Sequence, residues 1–355
     1  MTLQAIKCTD FRCLRSVELK PDPGNNLIYG ANASGKTSIL EAIAYLGRGR
    51  SFRGASTSDL IRYGNDEFVL FGRSDTGVRE ASLGVRNSRA GLEIHVDGEK
   101  AAGAAALAEL LPLQVIDPDV HDLVSGGPEL RRRYIDWVAF HVEHGYLDVW
   151  RRYRRTLKQR NAALKHAGQG GGLAGWDKEL AGAGQELHAA RGRVLDIIGP
   201  ALQEAGEGLL GSSVCIGYQR GWPAEKTLQE SLAAAVEREQ QLGSTQVGPH
   251  RADLRLIYDE RQARKRVSRG QQKLLACALI LAAVEIVQDH LQKPLLLLLD
   301  DPAAELDSDS LSRLMIAVGN LGCQVIATSL EPNDGLFADG AKLFHVEHGV
   351  ISATD

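Results

Sequence analysis

A glycine-rich loop that ends in lysine and threonine restricts the fold of this 355-residue chain more than any other feature. The segment from Gly30 to Thr37 fits the pattern G-x-x-x-x-G-K-[ST], with an apolar strand predicted before it and a helix after it. In that context backbone N–H groups surround phosphates, Lys36 reaches the β- and γ-phosphates, and the Thr37 hydroxyl binds Mg²⁺. Ala33 stands where many such loops carry glycine, so we expect a conformation there that other residues can adopt. The predicted nucleotide-binding residues are Gly30, Ala31, Asn32, Ala33, Ser34, Gly35, Lys36, Thr37 and Ser38.

A leucine-rich strand that ends in two acids provides the second half of such a site. Five leucines follow Pro294 and lead directly into Asp300 and Asp301. A buried strand holds a carboxylate beside Mg²⁺ with little freedom, as phosphoryl transfer requires. We therefore assign Asp300 to the metal together with Thr37, and Asp301 to the attacking water, which makes Lys36 and Asp301 the predicted catalytic residues.

A helix that is apolar on nearly every face, from Leu274 to Val287, must be buried. Free backbone N–H groups at its start form another anion site. One phosphate loop does not need two phosphate-binding helix ends, whereas a head-to-tail pair of chains does. We therefore predict a homodimer in which this helix start meets the γ-phosphate held by Lys36 of the other chain. The residues of this helix start, which we call the signature, are Ser268, Arg269, Gly270 and Gln271.

Strands and helices alternate near both ends of the chain, whereas helical periodicity dominates its middle. The alternation predicts a parallel sheet covered by helices, and short alternating runs between residues 68 and 96 predict antiparallel strands. The predicted fold class is α/β: a head of residues 1–118 and 242–355, in which a phosphate-loop parallel sheet is joined to an antiparallel β subdomain. A helical lobe of residues 119–241 is inserted into this head. A glycine-rich break at Gly168–Gly175 predicts a short helical hairpin in that lobe.

The charge of the chain is unevenly distributed. The net charge of −4 excludes a chain that is basic throughout. The segment from Arg131 to Lys165 nonetheless contains ten Lys or Arg and three acidic residues, and the segment from Arg251 to Lys273 contains eight Lys or Arg and three acidic residues. Such tracts bind nucleic-acid phosphates through counterion release. The predicted DNA contacts in the first tract are Arg131, Arg132, Arg151 and Arg155.

Composition also restricts the compartment. The longest apolar run, Leu274–Val284, is too short to cross a bilayer. Five scattered cysteines fit a reducing environment. We therefore expect a cytoplasmic protein with no membrane partner.

These motifs together resemble an ABC-type ATPase head of the SMC kind, and more closely the RecF family of bacterial recombinational-repair ATPases. The matching segments span nearly the whole chain, and two of them, Leu157–Ala163 and Gly248–Leu254, are not general to ATPases. Besides the phosphate loop, they are Phe11-Arg12, Gly126-Gly-Pro-Glu-Leu-Arg-Arg-Arg133, Leu157-Lys-Gln-Arg-Asn-Ala-Ala163, Gly248-Pro-His-Arg-Ala-Asp-Leu254, Ser268-Arg-Gly-Gln271 and Asp300-Asp-Pro-Ala-Ala-Glu-Leu-Asp307.

The resemblance implies an ATP-dependent homodimer that clamps double-stranded DNA and prefers junctions of duplex and single strand. It implies that RecO and RecR are partners and that the three proteins help to load RecA at gaps. The processes implied are DNA repair, recombination, replication-fork maintenance and the SOS response. ATP hydrolysis would be stimulated by DNA and would reset the dimer. Asp301 stands where most ABC heads carry glutamate, and Ser329 where a switch histidine is usual, so both departures predict slow hydrolysis.

The resemblance also assigns further residues. Glu305 and Asp307 correspond to the D-loop, which crosses between subunits. Gln114 is the candidate for the glutamine that joins the two lobes. Arg50 and Arg53, in the basic loop after the phosphate-loop helix, are candidates for DNA sensing.

Three alternatives remain open at this point, and one of them is a binding scaffold with vestigial hydrolysis. A transporter-type ABC ATPase subunit is disfavoured by the long stretch between Lys36 and Ser268 and by its basic helices. An SMC-like structural ATPase needs long heptad arms, and this chain has room for a short hairpin.

Overall fold

The computed structural model describes residues 1–165, 173–259, 261–263, 267–304, 306–332, 336–338 and 340–354. The chain divides into two compact units, which we call unit 1 (Met1–Val120 and Gln292–Asp355) and unit 2 (His121–Leu291). The first division lies two residues after the predicted one at 118/119. The second lies at 291/292, well after the predicted 241/242, because the segment from 253 to 291 packs against the helices of unit 2.

The helices and strands fall into three consecutive groups along the chain. The first part of unit 1 contains β1 Thr2–Phe11, β2 Leu14–Leu19, β3 Asn25–Tyr29, α1 Lys36–Arg48, α2 Thr57–Leu60, β4 Glu67–Asp75, β5 Glu80–Ser88, β6 Gly91–Val96, β7 Glu99–Lys100, α3 Ala105–Leu110 and β8 Leu113–Ile116. Unit 2 contains α4 Asp122–Ser125, α5 Pro128–Val142, α6 Tyr146–Lys165, α7 Ala174–Leu210, β9 Val214–Gln219, α8 Leu228–Leu242, β10 Asp253–Tyr258, β11 Arg261–Gln262 and α9 Arg269–Leu291. Unit 1 then resumes with β12 Leu296–Leu299, α10 Ser308–Asn320, β13 Gln324–Ser329, β14 Lys342–Glu347 and β15 Val350–Thr354.

The strands nearest the phosphate loop form a six-stranded sheet in the order β15-β14-β3-β13-β12-β8. All neighbours in it are parallel except β14 and β15, which confirms the predicted parallel sheet. The carboxyl ends of β3, β12, β13 and β8 therefore meet at one edge. Because the phosphate loop follows β3 and Asp300 follows β12, this sheet brings the two halves of the predicted site together.

Helix α1 packs on that sheet and on a second, antiparallel sheet ordered β2-β1-β4-β5-β6-β7. Nine consecutive residues, from Ile39 to Gly47, are buried, so the helix is enclosed on all sides. Phe11, Tyr45 and Phe68 meet edge to face around it, with ring centroids 5.0–6.3 Å apart. This packing fixes the position of the helix that follows the phosphate loop.

Helix α9 is the core of unit 2 and packs against α4, α5 and α7. Every residue from Leu274 to Val284 is buried, which confirms the burial predicted from its all-round apolar character. Among the described residues it is the one helix long and apolar enough to cross a membrane, but 67% of its most apolar window is buried inside the structure. The Tyr134 hydroxyl donates to the Leu279 carbonyl at 2.8 Å and ties α5 to this core.

Helices α6 and α7 run antiparallel, as the predicted hairpin requires. Arg152, early in α6, pairs with Glu186 of α7, whereas Arg160, later in α6, pairs with Asp177 near the start of α7. Residues 166–172, which contain most of the predicted glycine-rich break, lie outside the described residues. The helices on either side of it end and begin at Lys165 and Ala174.

A buried arginine joins this hairpin to α8. The Arg160 side chain has no exposed surface, and it donates to Asp177 at 2.6 Å, to Glu239 at 2.6 Å and to the Thr245 hydroxyl at 2.8 Å. The neighbouring Asn161 accepts the Thr245 N–H at 2.8 Å. The Leu157–Ala163 motif is therefore a structural clamp between three parts of unit 2.

Replacing Arg160 with alanine should lower the free energy of unfolding by about 3–5 kcal/mol, because the fully buried Glu239 would lose its charged partner. Urea denaturation followed by circular dichroism measures this loss. Lys158→Ala, on the exposed face of the same helix, is the control and should change stability by at most about 0.5 kcal/mol. Equal midpoints for the two variants would contradict the structural role.

Candidate nucleotide site

The phosphate loop takes a backbone path that demands glycine at both ends. Gly30 has φ 153°, and a Cβ there would lie 2.2 Å from the Val346 carbonyl oxygen. Gly35 has φ 114°, against the side chains of Leu14 and Cys13. Ala33 lies in the left-handed region at φ 63°, which costs a residue with a Cβ about 1–2 kcal/mol without excluding it. Alanine is therefore accommodated at this position, at an energetic cost.

The groups inside the loop suit a phosphate. The Ser34 hydroxyl is buried and has no hydrogen-bond partner among the described residues. The Lys36 ammonium group donates to the carbonyls of Gly30 at 2.6 Å and Ala31 at 3.0 Å, which holds it over the loop. Burial lowers the pKa of Lys36, and the nearby Asp301 and Asp300 oppose that shift. The first N–H groups of α1 have no acceptor within their own helix. An anion in the loop would satisfy all these donors.

Two threonine hydroxyls converge on the buried Asp300 carboxylate. Thr37 donates to its Oδ1 at 2.9 Å, and Thr328, near the end of β13, donates to the same atom at 3.0 Å. Burial raises the pKa of Asp300, and these two hydrogen bonds oppose the rise. A hydroxyl beside a carboxylate is the hard-oxygen donor set that Mg²⁺ prefers, so these residues fit the predicted metal. Thr37 and Asp300 are brought together as the sequence predicts.

Asp301 is held by its backbone beside this pair. Its N–H donates to the Thr328 hydroxyl at 2.9 Å, and its own φ is 49°. Thr328 therefore orders both acids at once, a role that sequence reasoning missed. The signal was present in the sequence, because Thr328 comes near the end of a predicted strand parallel to the one that carries Asp300.

The strand register shows where Gln114 lies relative to Asp300. Gln114 lies level with Leu297, three residues before Asp300, and its amide oxygen accepts from Arg48 at 3.0 Å. The residue that follows the strand and comes level with Asp300 is Asp117, because Ile116 pairs with Leu299. Burial, with Asp119 and Asp300 nearby, raises the pKa of Asp117 to about 6. Gln114 is the second of the four residues of β8 and binds Arg48 through its amide oxygen, and its role in joining the lobes stays a prediction.

The signature begins α9 with a reciprocal cap. The Ser268 hydroxyl accepts the Gln271 N–H at 3.3 Å, and the Gln271 side chain accepts the Ser268 N–H at 2.9 Å. Ser268, Arg269 and Gln271 are exposed, as a docking surface requires. The cap fixes the direction of the first turn, although this use of the Ser268 hydroxyl was not predicted.

Of the two residues assigned to the D-loop, the structure describes only Asp307. Asp307 is the N-cap of α10 and accepts from the Ser310 N–H at 2.9 Å. That hydrogen bond lowers the pKa of Asp307. Glu305 lies outside the described residues.

The predicted DNA contacts separate into buried and exposed arginines. Arg131 is 3% exposed, pairs with Asp253 at 2.7 Å and donates to the carbonyls of Leu123, Val124 and Gly126. It is therefore a structural residue of unit 2, which corrects its assignment to DNA. Arg132 is half-buried and donates to the Ala252 carbonyl at 2.7 Å, so part of its hydrogen-bonding capacity is already used within unit 2.

The remaining candidates are accessible. Arg151 and Arg155 are exposed on α6, beside the exposed Arg154 and Lys158. Arg50 and Arg53 are exposed in the loop after α1. Four of the six predicted arginines therefore lie where DNA could reach them.

Comparisons with known proteins agree along the whole chain. The RecF/RecN/SMC N-terminal domain family matches residues 2–352. The chain is 40% identical over 364 residues to the DNA replication and repair protein RecF of Pseudomonas paraeruginosa, which covers 100% of this chain and 98% of that protein. It is 39% identical over 362 residues to the protein of the same name from Pseudomonas syringae pv. syringae, covering 100% and 99%.

Solved structures extend the comparison to the fold. The structure of the recombination mediator protein RecF-ATP in the RecFOR pathway has a TM-score of 0.90 at 27% identity and covers 99% of this chain and 97% of that one. An SmcHead bound to the C-winged helix domain of ScpA has a TM-score of 0.61 at 18% identity, covering 100% and 97%, a likeness of fold alone. These likenesses confirm the predicted ABC-type ATPase head and the resemblance to RecF.

Thr328→Val should reduce ATP turnover at least tenfold while nucleotide affinity stays within about threefold, because both acids lose the hydroxyl that orders them. Turnover and equilibrium binding of a fluorescent ATP analogue give the two values. Thr76→Val is the control, since the Thr76 hydroxyl also donates once and accepts once but contacts Arg79 instead. Unchanged turnover in Thr328→Val would refute the ordering role.

Proposed function

This chain belongs to the RecF family, within the RecF/RecN/SMC group, and we propose that it is an ATP-dependent DNA-binding protein of recombinational repair and replication-fork maintenance. The observation that carries the proposal is the pair of hydrogen bonds that link the phosphate loop to the acidic strand at Asp300. These contacts join residues far apart in the chain, as a phosphate loop and a metal-binding carboxylate of one nucleotide site would require. Full-length identity of 40% to a protein named for DNA replication and repair supports the cellular role.

The proposed reaction is slow ATP hydrolysis. The Lys36 ammonium group would leave the carbonyls of Gly30 and Ala31 and bind the β- and γ-phosphates. Thr37 and Asp300 would hold Mg²⁺, and Asp301 would orient the attacking water. Bound Mg²⁺ would neutralise charge on the phosphate oxygens. The short side chain of Asp301 and the engagement of the Ser329 hydroxyl with the Glu331 carbonyl both favour a low rate.

The proposed role of ATP is to close a head-to-tail homodimer. The exposure and fixed direction of the signature support it, since Ser268 and Gln271 are oriented before any partner arrives. Asp307 would lie at the same interface through the D-loop. Hydrolysis would then release the pair, so ATP acts as a gate.

DNA would be gripped by the closed dimer at junctions of duplex and single strand. The exposed basic face of α6, with Arg151 and Arg155, supports this contact, because sequence-independent affinity comes from phosphate neutralisation. We extend the proposal to RecO and RecR as partners, with RecA loading at gaps as the outcome, since a solved relative is described within the RecFOR pathway. The cytoplasm, where chromosomal DNA lies in bacteria, is the proposed compartment.

Sedimentation velocity tests whether ATP controls dimerisation. Wild type should dimerise with ATP, Lys36→Arg should dimerise but lose turnover, and Ser268→Arg should bind ATP yet stay monomeric, because its side chain blocks the signature. Lys7→Arg, an exposed conservative change on β1, is the control for the lysine substitution. A wild-type dimer whose population is indifferent to ATP would overturn the gating mechanism.

DNA binding is tested by charge reversal on α6. The double variant Arg151→Glu/Arg155→Glu should bind gapped duplex more weakly, and the slope of log affinity against log salt should fall by about 2, one unit for each lost phosphate contact. Lys226→Glu/Arg238→Glu makes the same change in charge at exposed positions outside both basic tracts. If both double variants weaken binding equally, α6 is not the DNA-binding face.

A further inference from the structure

One carboxylate in the core of unit 1 has no role in the site described above. Glu41 lies on α1, one turn after Thr37, and its side chain has no exposed surface. Arg12, in the turn between β1 and β2, donates to both of its oxygens, at 2.5 and 2.9 Å. The hydrogen bond with Glu41 raises the pKa of Arg12. A charged pair in this position gains little stability over apolar packing, so its value to the protein lies in the geometry it imposes.

Glu41 also holds the loop that follows α1. The Ser51 hydroxyl donates to Glu41 Oε1 at 2.5 Å. The same oxygen of Ser51 accepts the N–H of Arg53 at 3.0 Å and of Ala55 at 3.2 Å. One donor and two acceptor positions are all that a serine hydroxyl offers, so its capacity is filled. The backbone of residues 51–55 is therefore tied to the phosphate-loop helix through a single side chain.

The loop held in this way carries Arg53, whose own backbone N–H is one of the two bound by Ser51. Arg53 is exposed and forms no ion pair within the described part of the chain. The guanidinium group is therefore open to solvent and available to a ligand.

We propose that Glu41 is a positioning residue, which acts through Ser51 to hold in place the loop that carries Arg53, the predicted DNA-sensing residue. Arg12 aligns the Glu41 carboxylate through two hydrogen bonds, and Ser51 transmits that alignment to the loop. The loop is held by α1 itself, so a shift of α1 on nucleotide binding would move Arg53. The positioning stands on the hydrogen bonds alone, whereas the response to DNA rests on the proposed function.

Limited proteolysis of the full chain tests the positioning without reference to function. Ser51→Ala should raise the rate of tryptic cleavage after Arg50 and Arg53 at least tenfold, because two backbone N–H groups lose their acceptor. Ser56→Ala is the matched control: the exposed Ser56 hydroxyl contacts Asp59 and Ser58, so its loss loosens the neighbouring helix α2 without touching Glu41. Equal cleavage after Arg50 and Arg53 in the two variants would overturn the proposal.

DNA-stimulated turnover tests the consequence. Ser51→Ala and Arg53→Ala should each reduce stimulation by gapped DNA about tenfold, and the double variant should lose no more, since both changes remove one positioned charge. ATP affinity of Ser51→Ala should stay within twofold of wild type. Multiplying effects in the double variant would contradict a shared pathway. Absence of stimulation in wild type would refute DNA sensing, and the proteolysis result would still decide the positioning.

Discussion

Two threonine hydroxyls that share one oxygen of Asp300 hold the nucleotide site of unit 1 together. Thr37 comes from the start of α1, Asp300 from the end of β12 and Thr328 from near the end of β13. The three side chains meet because their strands are parallel and end at one edge of the sheet. The burial of α1 on all sides keeps the first of them in place. The leucine strand, the sheet order and the packing of α1 together bring these three side chains into contact.

Sequence patterns predicted the features that depend on neighbours in the chain. The phosphate loop, the acidic strand and the burial of α9 follow from local spacing and composition, and the structure contains each of them. The DNA-binding assignment of Arg131 was wrong because the burial and partners of a side chain depend on the fold, which a single sequence does not specify. The role of Thr328 could be predicted only by someone who knew that β12 and β13 are neighbours in the sheet. Glu41 left a signal, since an acid within an apolar run of a helix needs a buried partner.

The arginines of the basic tracts show why charge counts overestimate a DNA surface. Arg131 and Arg160 lie in the first tract, yet they are 3% and 0% exposed and neutralise acids within unit 2. Motifs shared with the RecF family, such as Leu157–Ala163, therefore preserve a scaffold as well as a binding face. The net charge of −4 is compatible with DNA binding because positive charge can still cluster locally, as it does at the exposed Arg151, Arg154, Arg155 and Lys158 of α6.

The left-handed backbone at Asp301 limits which acid can stand there. Asp and Asn enter that conformation more readily than residues with longer side chains, because their short polar groups can hydrogen-bond locally. A glutamate in the same place would reach further toward the attacking water, but its backbone would be more strained in this conformation. The slow turnover inferred for this chain is then a property of its main chain as much as of its side chain. Under the proposed function, slow hydrolysis would keep the dimer closed on DNA for longer, so the backbone at Asp301 would set the lifetime of that state.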